Sequence, residues 1–217
     1  SDVNDKRASF SSYGPNIDVV APGAGTIIAP VVDPTAPTIN FTNAYYGTFY
    51  GTSYASPIAA GIVALVKSIY PISTVDDITG VMDGTATNLS SMNGRIYTPE
   101  YGHGLVNANA AVIVATSLQN DTKTKPKFGQ TGDHRSEHSF TPGEGMSSGC
   151  KVAPDTYCTV RAKKPTKGHD RYLPYKKGDA NGQVGWQWTG DMLESGEWSL
   201  QATQGDQKSN SYMLFAK

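Results

Sequence analysis

The chain has 217 residues, which is enough for one large domain or two small ones. Hydrophobic residues make up 38% of it and charged residues 17%, and with 23 glycines this composition predicts a turn-rich globular protein and excludes a disordered or coiled-coil one. The net charge of −1 gives no sign of a nucleic-acid partner, and the longest apolar run is interrupted at Lys67, so no membrane span is expected.

The first part of the chain is predicted to consist of loops around a buried strand. Gly14-Pro15 marks a turn. The short apolar run 17–21 (IDVVA) is typical of a buried parallel strand, and residues 25–32 are a candidate for a further strand. Residues 33–46 are rich in proline, asparagine and aromatic residues, and are predicted to be a surface excursion.

The longest apolar stretch follows a small polar turn at Gly51, Thr52 and Ser53. From Ser56 onward the chain is almost wholly apolar, which predicts a helix buried on nearly all sides. Pro57 is expected in the first turn, where its missing N–H leaves nothing unpaired. A serine at the N-terminus of such a helix lies beside free backbone N–H groups and the positive end of the helix dipole. This position suits a nucleophile whose attack creates an oxyanion.

Two further helices are predicted after this one. The first runs from about 74 to 82, with Ser73 as its N-cap and acidic residues in its first turn. A tight turn at 102–107 leads into the second, which runs from 108 to 118 and is expected to be capped by Asn107.

The composition changes after residue 118. Residues 119–130 are charged, contain a proline and are predicted to be a linker. Beyond them no helical pattern is present, and the alternating segments 159–162, 183–188, 197–202 and 211–216 are separated by turn residues. This pattern predicts an all-β sandwich of immunoglobulin-like type over 131–217, with Trp186, Trp188 and Trp198 in its core. The domains are therefore expected to be 1–118 and 131–217.

Two smaller features of the second half have alternative readings. Cys150 and Cys158 suit a disulfide that closes a small loop in a secreted protein, or they are two unrelated thiols; the lack of cysteine elsewhere favours the pair. Residues 179–182 have the look of the opening of a calcium loop, but no glutamate follows at the required distance, and a β-turn is the better interpretation.

Four motifs in order resemble one enzyme family. The segment 51–57 (GTSYASP) looks like the active-serine motif of subtilisin-like serine proteases (subtilases). The segments 8–14, 18–23 and 101–108 resemble the strand and turn before that motif, the Ala-Pro-Gly strand and the opening of the family's last helix. The resemblance covers 8–115, about half of the chain.

The resemblance implies a fold and a function. The expected fold is α/β, with 1–118 as the C-terminal half of a three-layer parallel-sheet domain. Ser53 matches the nucleophile of a serine protease that cleaves protein or peptide substrates, and its backbone N–H matches one oxyanion donor. Gly51 and Thr52 would shape the turn that carries it. Tyr54 stands where the family usually has methionine, and Tyr50 where it often has asparagine.

The resemblance also implies that other catalytic groups lie elsewhere. The family's catalytic aspartate, its histidine in a His-Gly-Thr motif and its oxyanion asparagine all precede the matching segment. His103, His134, His138 and His169 are in other contexts, are rejected as the base, and are each predicted to be solvated loop residues. The chain alone is therefore predicted to be inactive, and to need the N-terminal part of the same protease as a separate associated chain.

Other expectations follow from this interpretation. The chain begins at Ser1 without methionine, so a product of proteolytic processing or a truncated chain is expected. No metal ligands or cofactor are expected in this chain, although the resemblance allows calcium in the complete protease. The predicted location is secreted or cell-surface. The alternative function is a non-catalytic binding or assembly protein that keeps the serine motif as packing.

Overall fold

The computed structural model describes residues 1–25, 27–31, 45–121, 138–140, 145–152, 154–164, 170–189, 193, 195–204, 207–208 and 212–216. The first half contains β1 (Ile27–Val31), β2 (Tyr45–Phe49), α1 (Thr52–Ile69), α2 (Val75–Thr85), a short 3-10 helix (Ser90–Met92) and α3 (Ala108–Asp121). The second half contains β3 (His138–Phe140), β4 (Gly145–Lys151), β5 (Tyr157–Lys163), β6 (Arg171–Tyr172), β7 (Lys176–Lys177), β8 (Gln183–Thr189), β9 (Gly196–Gln204), β10 (Gln207–Lys208) and β11 (Tyr212–Ala216).

The three helices pack around a common apolar core. Its buried members are Ile62, Val66, Tyr70, Val81, Met82, Ala111, Val114, Ala115 and Leu118. Because Ile62, Val66 and Tyr70 are spaced four residues apart, they form one face of α1, and this face is directed at α2 and α3.

The prediction that the first helix is buried on nearly all sides is wrong. Within α1 only Ile62 and Val66 are buried, while Ile58 and Leu65 are 40% and 49% exposed. Within the described part of the chain, α2 and α3 cover one face of this helix and no sheet covers the other. The helix has the length and composition of a membrane-crossing segment, a property that core helices of soluble proteins share.

The helix also begins earlier than expected. It starts at Thr52, so Pro57 is its sixth residue and lies inside the helix. Pro57 has no N–H to donate to the carbonyl of Ser53, four residues before it. The proline therefore interrupts the helical hydrogen bonds next to the serine, whereas it was expected in the first turn.

The predicted strand 17–21 is reduced to a single parallel bridge between Val20 and Leu105. Val20 donates to the carbonyl of Gly104 and accepts from the N–H of Val106, both at 2.9 Å. No strand of the described residues pairs with the other edge of 17–20, and this explains why no regular strand forms. The candidate strand at 25–32 is confirmed as β1, which pairs antiparallel with β2 from Ile27↔Phe49 to Val31↔Tyr45.

Of the two predicted N-caps, one is confirmed and the other is wrong. Asn107 caps α3 as predicted, since its Oδ1 accepts the N–H of Ala110 at 3.0 Å. The N-cap of α2 is Thr74 and not Ser73: its hydroxyl accepts the N–H of Asp77 at 3.2 Å, and the Asp77 carboxylate accepts the N–H of Thr74 at 2.7 Å. This reciprocal capping box satisfies two helix donors at once.

The second half is built from β-strands. In the described residues a larger sheet has the order β3-β11-β9-β5-β6, with β7 on β5 and β10 on β9, and β4 pairs antiparallel with β8. Side chains from β5, β8 and β9 share one apolar core, in which Trp186 and Trp198 are buried as predicted. The side chain of Trp188 lies outside the described part.

The helical and β parts contact each other closely. Tyr157 and Tyr175 of the β part pack against the helical core, and Ile96 packs against the β core. Helix α2 meets the β part through glycines: a Cβ on Gly84 would lie 2.7 Å from the ring of Tyr175. The two predicted domains therefore share an interface. The predicted linker starts inside α3, which continues to Asp121, and residues 122–130 lie outside the described residues.

Candidate active site

Ser53 lies where the sequence predicts it, at the N-terminus of α1. It is the second residue of the helix and is exposed. Its backbone N–H belongs to the first turn, where no preceding helical carbonyl is available to accept it. An exposed hydroxyl beside a free helix terminus has the surroundings that a nucleophile and one oxyanion donor require.

The turn before Ser53 depends on two glycines in contact. Gly51 has φ = 152°, a conformation that residues with a side chain rarely adopt. Its N–H donates to the carbonyl of Gly23 at 2.6 Å, and its own carbonyl accepts the N–H of Tyr54 at 3.0 Å. A Cβ on Gly23 would lie 2.7 Å from the Gly51 oxygen and 2.9 Å from the Cβ of Ala55. The close approach of the two loops therefore requires glycine at position 23.

Aromatic side chains surround the serine turn. The rings of Phe49 and Tyr54 are stacked with their centroids 5.7 Å apart, and those of Phe10 and Tyr50 are also 5.7 Å apart. Tyr50 is 71% exposed. The two positions at which the sequence departs from the family's usual residues are thus tyrosines that each belong to an aromatic pair.

His103 is not the solvated loop residue that was predicted. It is buried, its Nε2 accepts the backbone N–H of Tyr172 at 3.2 Å, and its Nδ1 lies 3.2 Å from the carbonyl of Asp18. Because Nε2 accepts, the ring proton lies on Nδ1 and donates to Asp18. Burial lowers the pKa of His103 to about 3. The ring is therefore neutral and fixed by the backbone, and this agrees with its rejection as the catalytic base.

Asp83 lies beside this histidine, with its Oδ2 3.5 Å from Nδ1 of His103. Burial raises its pKa well above the usual value, and the nearby Asp18 raises it further. This pair is not predicted from the sequence, because its members are twenty residues apart and no local motif connects them. The side chains of His134, His138 and His169 lie outside the described part.

A groove of about 340 Å³ lies beside the N-terminal half of α1. Its lining includes Val19 and Ala21 from the reduced strand, and Thr52, Ala55 and Ala59 from α1. The groove therefore lies between residues 17–21 and the first turns of α1, on the helix stripe that continues into the buried Ile62 and Val66.

Two other predicted sites have different outcomes. The β-turn at 179–182 is confirmed: Asp179 Oδ1 accepts the N–H groups of Asn181 and Gln183 at 2.8 Å, so this oxygen is used by the turn itself. Cys158 is fully buried and is not a free thiol. The side chain of Cys150 lies outside the described part, so its pairing with Cys158 stays a prediction. Among the described residues no group of three or more His, Cys, Asp or Glu residues could hold a metal ion.

Comparisons with known proteins extend over the first half of the chain. A model of the Subtilase family matches residues 1–126. Over 110 residues the chain is 41% identical to alkaline elastase YaB from Bacillus sp. (strain YaB), 40% to a thermostable alkaline protease from Halalkalibacterium halodurans and 41% to subtilisin Savinase from Lederbergia lenta. Each match covers 51% of this chain and 25%, 26% and 35% of the respective relative. The matched segment thus spans about a quarter to a third of the length of these relatives.

Proposed function

Because the chain belongs to the subtilase family, whose model matches more than half of it, we propose that it is the nucleophile-bearing C-terminal part of a subtilisin-like serine endopeptidase. The observation that carries this proposal is the position of Ser53, exposed in the first turn of α1 behind the Gly51–Gly23 contact. The three relatives compared above are named as an elastase, a protease and a subtilisin, and these names support hydrolysis of peptide bonds.

The chemistry would follow an acyl-enzyme route. The Oγ of Ser53 attacks the scissile carbonyl carbon and passes its proton to a histidine that another part of the protease supplies. The Ser53 N–H and a second donor hold the oxyanion. The C–N bond then breaks, the histidine returns the proton to the leaving amine, and water hydrolyses the acyl-enzyme by the reverse sequence of proton transfers. An aspartate from the same missing part orients the histidine.

The part that completes the site is proposed to be the N-terminal part of the same protease, as a separate associated chain. Two observations support this partner. One face of α1 exposes Ile58 and Leu65, and a groove elsewhere on α1 lies between its first turns and the backbone edge of 17–21, which no described strand occupies. A strand of the partner in this groove would pair with that edge and cover the helix.

The proposal extends to the second half of the chain. We infer that 131–217 form an immunoglobulin-like sandwich, since strands of two sheets contribute to one core. A disulfide between Cys150 of β4 and Cys158 of β5 would join these sheets, and it would fit a secreted or cell-surface protease. Calcium remains a proposal for the complete protease only.

A labelling experiment tests the function. The native assembly, isolated through a tag on this chain, is treated with a fluorophosphonate probe, and the modified residue is identified by mass spectrometry. We expect the probe on Ser53, no labelling of the Ser53→Ala variant and full labelling of Ser56→Ala, which removes an exposed serine one turn along the helix. An unlabelled Ser53 in a folded, uninhibited assembly would favour the alternative, a non-catalytic binding or assembly protein.

A further inference from the structure

A second cavity lies at the junction of the helical and β parts, lined by different residues from the groove beside Ser53. Its volume is about 220 Å³. The helical part and the loop that follows it contribute one wall, and the β part contributes the other. The lining residues include Asp83, Ile96, His103, Tyr172, Lys176 and Trp186.

The Asp83 carboxyl group in this cavity has no hydrogen-bond partner among the described residues. The residue is 4% exposed, and Nδ1 of His103, which lies 3.5 Å from its Oδ2, donates to Asp18 instead. A buried carboxylate without a partner is costly, because it has given up its water without replacement. Such a group on a cavity wall is expected to have a ligand that donates to it.

The charges around Asp83 do not balance. Its surroundings contain the carboxylates of Asp18 and Asp170 and the guanidinium of Arg171. The Arg171 guanidinium is stacked over the ring of Tyr97 at 3.5 Å. Asp170 is paired with Arg161, which also binds Asp76 at 2.8 Å. Four carboxylates thus lie near two guanidinium groups and one ammonium group, that of Lys176, whose Nζ donates to the carbonyl of Gly185 at 2.9 Å. The region keeps one more negative than positive charge.

The remaining walls are apolar and aromatic. Trp186 is held in place because its indole N–H donates to the carbonyl of Pro174 at 2.7 Å. Tyr172 is fixed through its backbone N–H, which donates to His103. Aromatic rings next to a carboxylate favour an organic cation, which gains both charge pairing and contact with the ring faces. A hydrated metal ion would gain little from such walls, and the described residues offer no set of three metal ligands.

We propose that this junction cavity binds a guanidinium or alkylammonium group, with Asp83 as its counter-ion and Tyr172 and Trp186 as its aromatic walls. The group belongs to a free small cation or to the end of an arginine or lysine side chain. The site is independent of Ser53 chemistry, and its occupant would join the two parts of the chain by contacting both walls.

The test is a titration of the intact chain with methylguanidinium chloride, in which the NMR chemical shift of the Trp186 indole N–H is the measured signal. Sodium chloride at the same ionic strength is the control for screening. We expect a saturable shift whose affinity falls at least tenfold in Asp83→Asn and is unchanged in Asp155→Asn, which removes an exposed carboxylate paired with Lys177. Ile96→Phe places a larger side chain on the apolar wall and so reduces the volume of the cavity. This variant keeps the Asp83 carboxylate and should also bind more weakly.

A second arm distinguishes the two sources of the ligand. Equal binding of acetyl-arginine amide and methylguanidinium supports a side-chain occupant, and a preference of tenfold or more for methylguanidinium supports a free cation. The proposal is overturned if wild type gives no saturable shift, if sodium chloride produces the same shift, or if Asp83→Asn binds as tightly as wild type. Labelling of Ser53 is measured on the same samples, so failure at this cavity is separable from failure of the proposed protease function.

Discussion

Gly23 illustrates how a residue without a side chain can control the position of Ser53, the proposed nucleophile. Its carbonyl holds the N–H of Gly51, two residues before Ser53, and any Cβ at position 23 would overlap the Gly51 oxygen. Gly23→Ala is therefore expected to displace the serine turn and to slow fluorophosphonate labelling of the native assembly at least tenfold. Gly14→Ala is the control, because a Cβ there meets nothing within 4 Å. Equal labelling rates of the two variants would contradict this role.

Asp83 makes a prediction about the pH dependence of stability. Its pKa in the folded chain is raised above the unfolded value of 3.8, so folding favours the protonated form. The stability that this group contributes is complete below pH 3.8 and is lost as the pH rises toward the folded pKa. In ligand-free buffer, Asp83→Asn should therefore raise the free energy of unfolding by about 1 to 3 kcal/mol at pH 8.

The gain from Asp83→Asn should disappear near pH 3.5, where the wild-type carboxyl is protonated in both states. Urea unfolding at the two pH values measures the difference. His103 lies 3.5 Å from Asp83, so the comparison at the two pH values includes any effect of the substitution on the histidine. A variant that is less stable than wild type at pH 8 would show that Asp83 has a favourable partner in the folded chain.

At the scale of elements, glycines in two helices should respond in opposite ways to alanine. A Cβ on Gly84 of α2 would overlap the ring of Tyr175, whereas Gly61 of α1 has open space around it. Gly84→Ala should lower the free energy of unfolding by about 1 to 3 kcal/mol through overpacking. Gly61→Ala should raise it by about 0.5 to 1 kcal/mol, since alanine favours the helix. Denaturant unfolding measures both, and the same sign for both would refute the packing argument.

Local patterns predicted much of this chain. The capping oxygen of Asn107, the turn at Asp179 and the serine at the head of α1 depend on neighbours in sequence, and each was predicted. The burial of α1 was predicted wrongly, because burial depends on what packs against a helix and not on its composition alone. His103 was misjudged for the same reason, since Asp83 and Tyr172 come from distant parts of the chain.

At the scale of the whole molecule, the exposed face of α1 gives a test of the proposed assembly. Leu65 is 49% exposed on this face, and a partner that covers the helix would bury it. Leu65→Glu should therefore abolish copurification of the N-terminal part and, with it, labelling of Ser53. A buried unpaired charge costs more than the few kcal/mol that one leucine contributes to an interface.

The matched control for this test is Val75→Glu. Val75 is 80% exposed at the first position of α2, where a carboxylate is favoured by the helix dipole. Circular dichroism checks that both variants are folded. If Leu65→Glu assembles as well as Val75→Glu, this face of α1 is not the interface.

The tyrosines that cross the junction have a consequence for the motions of the chain. Tyr157 and Tyr175 belong to the β part but pack against the helical core, and the N–H of Tyr175 donates to the carbonyl of Gly84 at 2.8 Å. Neither part can open without exposing these side chains. Amide protons in α2 and β5 should therefore exchange with solvent at the same opening free energy, as one cooperative unit. The change of composition after residue 118 would then separate a helical architecture from a β architecture. The opening free energies measured by amide exchange would nevertheless be the same on both sides of it.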